Sequence, residues 1–173
     1  MHILYFIKNR GMIGLKRLIA IGFVALLLFV AVPATAQTSN NIYQTLQNDG
    51  SFSKMVSMIQ ATNQDRSLIV AGPFTILAPT DNAFNKMSAA SINGIMSDRL
   101  KRNSIMRNLM ISGKYTTDQM VSMGSVRTLN GERLTVTKAK DGSITIGGAK
   151  VVKPNIQAKN GIIQGLDGVI MPS

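Results

Sequence analysis

At Gly124 the spacing of apolar residues changes, and that change limits the folds open to this chain more than any other feature. Ahead of it, Ile42, Leu46, Phe52, Met55, Val56 and Ile59 recur at the three- and four-residue intervals of helices with one buried face. Asp49-Gly50 divides this stretch into two short helices, and Leu68, Ile69 and Val70 close it before Gly72-Pro73. Beyond Gly124, Val126-Arg127-Thr128-Leu129, Arg133-Leu134-Thr135-Val136-Thr137 and Ser143-Ile144-Thr145-Ile146 read as alternating strands. Asn130-Gly131 and Asp141-Gly142 predict two-residue type I′ turns between them, with positive φ at both central residues. Asn160-Gly161 repeats the signal ahead of Ile162-Ile163, and Asp167-Gly168 marks a tight turn before Val169-Ile170-Met171. Helices followed by an antiparallel meander predict an α+β fold.

One strand interrupts the helical half. Phe74-Thr75-Ile76-Leu77-Ala78-Pro79 is β-branched and apolar and ends on proline; Thr80 and Asp81 follow at helix N-cap positions, leading into Ala83, Phe84 and Met87. A further helix is predicted over Ser97 to Leu109, with Leu100, Ile105, Met106 and Leu109 facing inward. Thr116 and Gln119 have capping-box spacing and open one more.

Residues 1–36 read as an export leader and not as part of the fold. Lys8, Arg10, Lys16 and Arg17 precede a wholly apolar or small run from Leu18 to Val32, shorter than the roughly 20 residues of a membrane span. Pro33 ends the run, and Ala34 and Ala36 are the small residues that predict cleavage before Gln37. Met12 is an alternative start that keeps two of the basic residues. The expected product is a single domain, 37–173, exported to the periplasm or beyond the cell, meeting the membrane only through the leader before cleavage. No cysteine follows the leader, which excludes lipid attachment through one.

The chain carries 19 basic and 8 acidic residues, and removing the four cations of the leader leaves 15 against 8, a charge of +7. Such a domain is drawn to anionic surfaces; a nucleic-acid partner does not fit an exported protein. The sequence has no cysteine, and its one histidine is His2, inside the leader. The mature domain therefore lacks disulfides, a histidine base and the usual zinc ligands. No EF-hand spacing of acids occurs, and the expectation is no metal and no cofactor.

Phe74-Thr75-Ile76-Leu77-Ala78-Pro79-Thr80-Asp81-Asn82-Ala83-Phe84 closely resembles the first signature of fasciclin domains, and residues Asn160 to Pro172 resemble the second. Ser112-Gly113-Lys114-Tyr115-Thr116, Thr128-Leu129-Asn130-Gly131 and Gly148-Ala149-Lys150-Val151-Val152 fall between them in the family's order. The resemblance implies packed antiparallel β-sheets with several short helices along one side, and a role in adhesion or extracellular interaction. Phe74, Pro79, Thr80, Asp81, Phe84, Asn160, Gly161 and Asp167 are read as structural members of the signatures. Animal members similar to this domain use a Tyr-His pair and an Asp-Ile-Leu stretch for integrin binding. Here those places hold Asn108-Leu109 and Asn155-Ile156-Gln157, so integrin recognition is not implied.

The candidate contact residues are Arg99, Lys101, Arg102 and Arg107, four cations on one predicted helix, together with Asn108, Leu109, Tyr115, Asn155, Ile156 and Gln157. The bland reading of the cations is a solvated helix face. The leading expectation is a non-enzymatic interaction module for a cell-surface or matrix protein or an anionic polysaccharide. Methionines such as Met55, Met58, Met106, Met110, Met120 and Met123 suggest a second reading, a carrier of an apolar, carotenoid- or lipid-like ligand. A distant third is a hydrolase using Ser51-Phe52-Ser53-Lys54, the Ser-x-x-Lys pattern, with Ser91-Ile92-Asn93 as a partial second element. Lys-Thr-Gly is absent, and Ser51 fits a helix cap as well as a nucleophile.

Overall fold

The computed structural model describes residues 39–64 and 72–173; the predicted leader, its cleavage point and Leu68-Ile69-Val70 lie outside them. Helix α1 (Ile42–Asp49) is capped by Asn41 in a capping box with Gln44 and ends on Gly50 at φ +73°, where an L side chain would be strained. Helix α2 (Ser53–Ala61) follows and buries Met55, Met58 and Ile59. Strand β1 (Phe74–Pro79) is buried from Thr75 onward, as its continuous apolar run requires. Thr80 then caps the short α3 (Asp81–Asn85).

A separate helix, α4 (Ala89–Ser97), capped by Ser88, precedes α5 (Arg99–Asn108). The sequence signal for one helix from Ser97 therefore spans a corner. Asp98 accepts hydrogen bonds from the Leu100 and Lys101 N–H groups and starts α5 afresh. That corner turns Leu100 outward: it is 81% exposed, against the inward position its spacing predicts, while Ile105, Met106 and Leu109 are buried. Strand β2 (Met110–Ser112) leads to α6 (Thr117–Met123), whose Thr116–Gln119 capping box forms as the spacing predicts.

Strands β3 (Ser125–Arg127), β4 (Arg133–Lys138), β5 (Ile144–Ile146), β6 (Ala149–Ala158) and β7 (Gly161–Leu166) make the antiparallel meander. The full sheet has seven strands in the order β2-β1-β7-β6-β5-β4-β3. Strand β1 enters it in parallel with β7, from Phe74↔Gly161 to Pro79↔Leu166, so the sheet is mixed within an α+β fold. One core runs beneath it, from Ile42 and Phe52 through Leu77 and Met106 to Val136 and Ile146.

The turns depart from the type I′ expectation. Gly131 and Gly142 have φ of +90° and +84°, but Asn130 and Asp141 do not have positive φ. Gly131 N–H donates to Thr128 O and Gly142 N–H to Ala139 O, closing a turn ahead of a left-handed glycine; this is the three-residue loop in which glycine forms the bulge. Asn160-Gly161 departs differently. The two-residue turn is Lys159-Asn160, and Gly161 is already the first residue of β7. A Cβ on Gly161 would lie 2.2 Å from Phe74 O and 2.5 Å from Ile42 Cδ1, so glycine is required by the close approach of β1 and not by a turn.

Candidate functional site

The two signatures meet where β1 ends. Thr80 donates from both N–H and Oγ1 to Leu166 O, at 3.0 and 3.1 Å, and its Oγ1 accepts from Ala83 N–H. Asp81 reaches away from its own helix. Its carboxylate accepts from the Ser53 N–H at 3.1 Å and the Lys54 N–H at 2.8 Å, capping α2, while its own N–H donates to Ser51 O. Phe52, the residue preceding α2, offers no side-chain cap, so the cap expected of Ser51 is supplied from across the chain. Phe84 is buried below.

Ser51 instead accepts from Lys153 Nζ at 2.8 Å, and the same ammonium is paired with Asp49 Oδ1 at 2.5 Å, 5.6 Å from the Phe52 ring centroid. Lys54, the partner expected of Ser51 in a hydrolytic pair, donates to Asn85 Oδ1. Lys153 thus spends its donors on Asp49 and on the serine oxygen, and Lys54 points to Asn85, so neither lysine is arranged as a base for Ser51. Opposite, Lys86 Nζ bonds Asp167 at its backbone O (2.9 Å) and Oδ2 (3.0 Å), and Asp167 Oδ1 accepts from Lys150 N–H. Ser51, Thr80, Asp81, Lys86, Lys153 and Asp167 line an open cleft of about 670 Å³, with Gly50, Asn82 and Val152 at its walls.

Asp167 in the cleft and Asp49 beside it both titrate low. Partial burial opposes ionisation of Asp167, but hydrogen bonds from Lys86 and the Lys150 N–H, with the attraction of both lysines, outweigh it and hold the carboxyl below its ordinary value. Burial likewise opposes ionisation of Asp49 and is outweighed by hydrogen bonds from Lys153 and Ser51 and by the charge of Lys153.

The four cations singled out on α5 do not act alike. Arg102 turns its guanidinium inward to Met96 O and Ala61 O, and Arg107 donates to Leu129 O at 2.9 Å. Both tie the helix to its neighbours. Arg99 and Lys101 are exposed and their side chains make no hydrogen bond or ion pair among the described residues, and Leu100 stands exposed between them.

Asn108 and Leu109 are fully buried, which corrects their candidacy as contacts. Leu109 belongs to the core, and its backbone O accepts from Leu77 N–H; Asn108 Oδ1 accepts from Thr128 Oγ1. Asn155, at φ +56° in an irregular stretch of β6, is also committed. Its Oδ1 accepts from Thr117 N–H and Gln164 Nε2, both at 2.9 Å, and its N–H donates to Gln164 Oε1. Gln164 further donates to Tyr115 O, and Tyr115 N–H donates to Thr75 Oγ1. Ile156 packs on the core, and Gln157 is exposed with its amide on Asn155 O. Sequence reasoning missed Gln164 and Thr75, the fully buried polar members of this network. Gln164 carries the one available signal, a polar residue within an apolar strand.

The methionines expected to line an apolar groove are packed away: Met55, Met58, Met106, Met110 and Met120 are all buried, and only Met123 of that group is exposed. No group of three or more acids, histidines or cysteines among the described residues is arranged to hold a metal ion.

A fasciclin domain family model matches residues 50–172. The chain is 32% identical over 145 residues to protein sll1483 of Synechocystis sp., covering 83% of this chain and 79% of that protein. It is 29% identical over 141 residues to the cell surface glycolipoprotein MPB83 of Mycobacterium bovis, covering 80% of this chain and 60% of that one. Among solved structures, the FAS1 domain pair of the insect cell adhesion molecule Fasciclin I superposes with a TM-score of 0.70 at 17% identity, over 78% of this chain and 52% of that chain. Two signatures joined through Thr80 and Leu166, the mixed sheet they build and the matched span together make this chain a member of the fasciclin domain family.

Proposed function

We propose that the protein is an exported interaction module that binds an anionic polymer of the cell envelope or matrix through its surface and catalyses no reaction. The observation that carries the reading is the open end of α5, where the side chains of Arg99 and Lys101 project without an ion-pair partner among the described residues from a domain of formal charge +7 once the leader's four cations are removed. The cell-surface relative MPB83 and the adhesion molecule Fasciclin I support a role outside the cytoplasm. The bonding of Ser51 and Lys153 argues against hydrolysis by removing the base a serine nucleophile needs.

The test compares two double variants with the same loss of charge. Arg99→Gln/Lys101→Gln should weaken co-sedimentation with an anionic envelope polysaccharide about ten-fold, whereas Lys138→Gln/Lys140→Gln in the β4–β5 hairpin should change it less than about two-fold. Arg102 and Arg107 are left in place, since removing them would loosen the helix packing as well as the charge. Binding should fall steeply with salt, because exposed charges are screened within about 8 Å at physiological ionic strength. Equal losses from the two double variants would leave only diffuse attraction. Export itself is checked by intact mass, with the secreted species starting at Gln37.

A further inference from the structure

The cleft between the two signatures has the wrong electrostatics for the polymer that α5 would attract. On a chain with 19 basic and 8 acidic residues, two of the acids, Asp81 and Asp167, line this one place and a third, Asp49, adjoins it through Lys153, with Lys86 and Lys153 in the lining and Lys150 alongside. Every one of those charges but Lys150 is matched: Lys153 by Asp49, Lys86 by Asp167, and Asp81 by the first N–H groups of α2. An anion entering here would meet a helix start already occupied by a carboxylate and lysines already paired. A cation would meet carboxylates in the same condition.

We propose that this cleft is a binding site for a neutral saccharide. A sugar hydroxyl donates and accepts at once, so neighbouring hydroxyls can accept from an ammonium and donate to a carboxylate of the same ion pair without breaking it. The cleft presents one such pair in full, Lys86–Asp167, and the ammonium of a second, Lys153, whose partner Asp49 lies outside the lining beside Gly50; further bonds to Lys150 N–H and Ser51 fix them. Groups held in place before the ligand arrives lose little freedom on binding. Asn82, exposed at the rim with no bond among the described residues, adds an amide that can donate and accept. Val152, 46% exposed, supplies apolar surface for the C–H face of a ring. The volume of about 670 Å³ lies within the range of small-ligand clefts. This site is separate from the open end of α5 and does not depend on it.

The experiment is an amide-resolved NMR titration of the full-length expressed protein. The neutral probes are N-acetylglucosamine, glucose, triacetylchitotriose, maltotriose and cellotriose, and the charged comparators are trigalacturonate and inorganic phosphate. At least one neutral probe should shift the amides of Ser51, Asn82 and Lys153, with an affinity that changes less than about two-fold between about 0.05 and 0.5 M salt. Asn82→Ala and Lys86→Met, both at exposed positions, should each weaken that affinity about five-fold or more while the rest of the spectrum keeps its folded dispersion. Arg99→Gln/Lys101→Gln should leave it unchanged, which separates this site from the polymer contact. A trisaccharide tighter than its monosaccharide identifies a glycan chain as the source, and equal affinities identify a free sugar. No cleft shifts from any neutral probe up to about 20 mM, or tighter and salt-sensitive binding of trigalacturonate or phosphate in the cleft, would overturn the proposal.

Discussion

Gly131 and Gly161 each follow an asparagine, yet different forces hold them. Gly131 sits in a hairpin at φ +90° with open space where a Cβ would go, so alanine there meets only backbone strain, about 1–2 kcal/mol. Gly161 has no such φ, but its added Cβ would press on Phe74 O, a backbone atom that can move only if β1 parts from β7. Gly161→Ala should therefore lower the unfolding free energy by about 3 kcal/mol or more, and Gly131→Ala by about half that or less, in urea titrations of both variants. Equal losses would mean that the strand pair yields. The same distinction separates Asp81 from Ser51. The carboxylate completes a helix that its own neighbours leave uncapped, whereas the hydroxyl accepts from a lysine ammonium.

Among the elements, the junction of β1, α6, β6 and β7 rests on one polar residue. Gln164 donates to Tyr115 O and Asn155 Oδ1 and accepts from Asn155 N–H, so a leucine of similar size would strip partners from three groups at once. Gln164→Leu should cost about 2–3 kcal/mol and speed amide exchange at Asn155 and Thr117 ahead of the rest of the sheet. Uniform exchange across all strands would show that the network is not a local fastener. The helices α1 and α2, strand β1, the capping box of α6 and the meander were legible because each rests on local spacing or a local cap. The corner at Asp98 was not, since Leu100 keeps helical spacing while a second N-cap reorients it. Nor was the parallel partnership of β1, which no residue in β1 announces. At the candidate site the positive charge of α5 was legible, but the bonds that withdraw Arg102 and Arg107 come from carbonyls of Ala61, Met96 and Leu129, set by packing and not by spacing. The cleft went unseen for the same reason, as Asp49, Asp81 and Lys153 are brought together only by the fold.

For the whole molecule, three carboxylates place a pH sensitivity on the acid side. Asp49, Asp141 and Asp167 all have folded pKa values below the ordinary 3.8, Asp141 through hydrogen bonds from Ser143. As pH falls, the unfolded chain takes up protons before the folded one does. The stabilisation these groups give is thus complete above their unfolded value and is lost as pH drops through the lower folded values. The melting midpoint should stay level down to about pH 5 and decline below about pH 4, less steeply in Asp167→Asn. A loss between about pH 6 and 7 would contradict this, as the only histidine is His2. The β1–β7 pairing has a consequence for the sheet as a whole. Its two strands lie far apart in the chain, and β1 has only the three-residue β2 on its other side, so no other strand pairing can hold the middle of the sheet together. Closing so long a loop costs entropy that only the completed pairing offsets. A chain that lacks β7 lacks the strand that joins β1 to β6, so truncation before Gly161 should leave β1 and β2 cut off from the meander, read as loss of the cooperative unfolding transition.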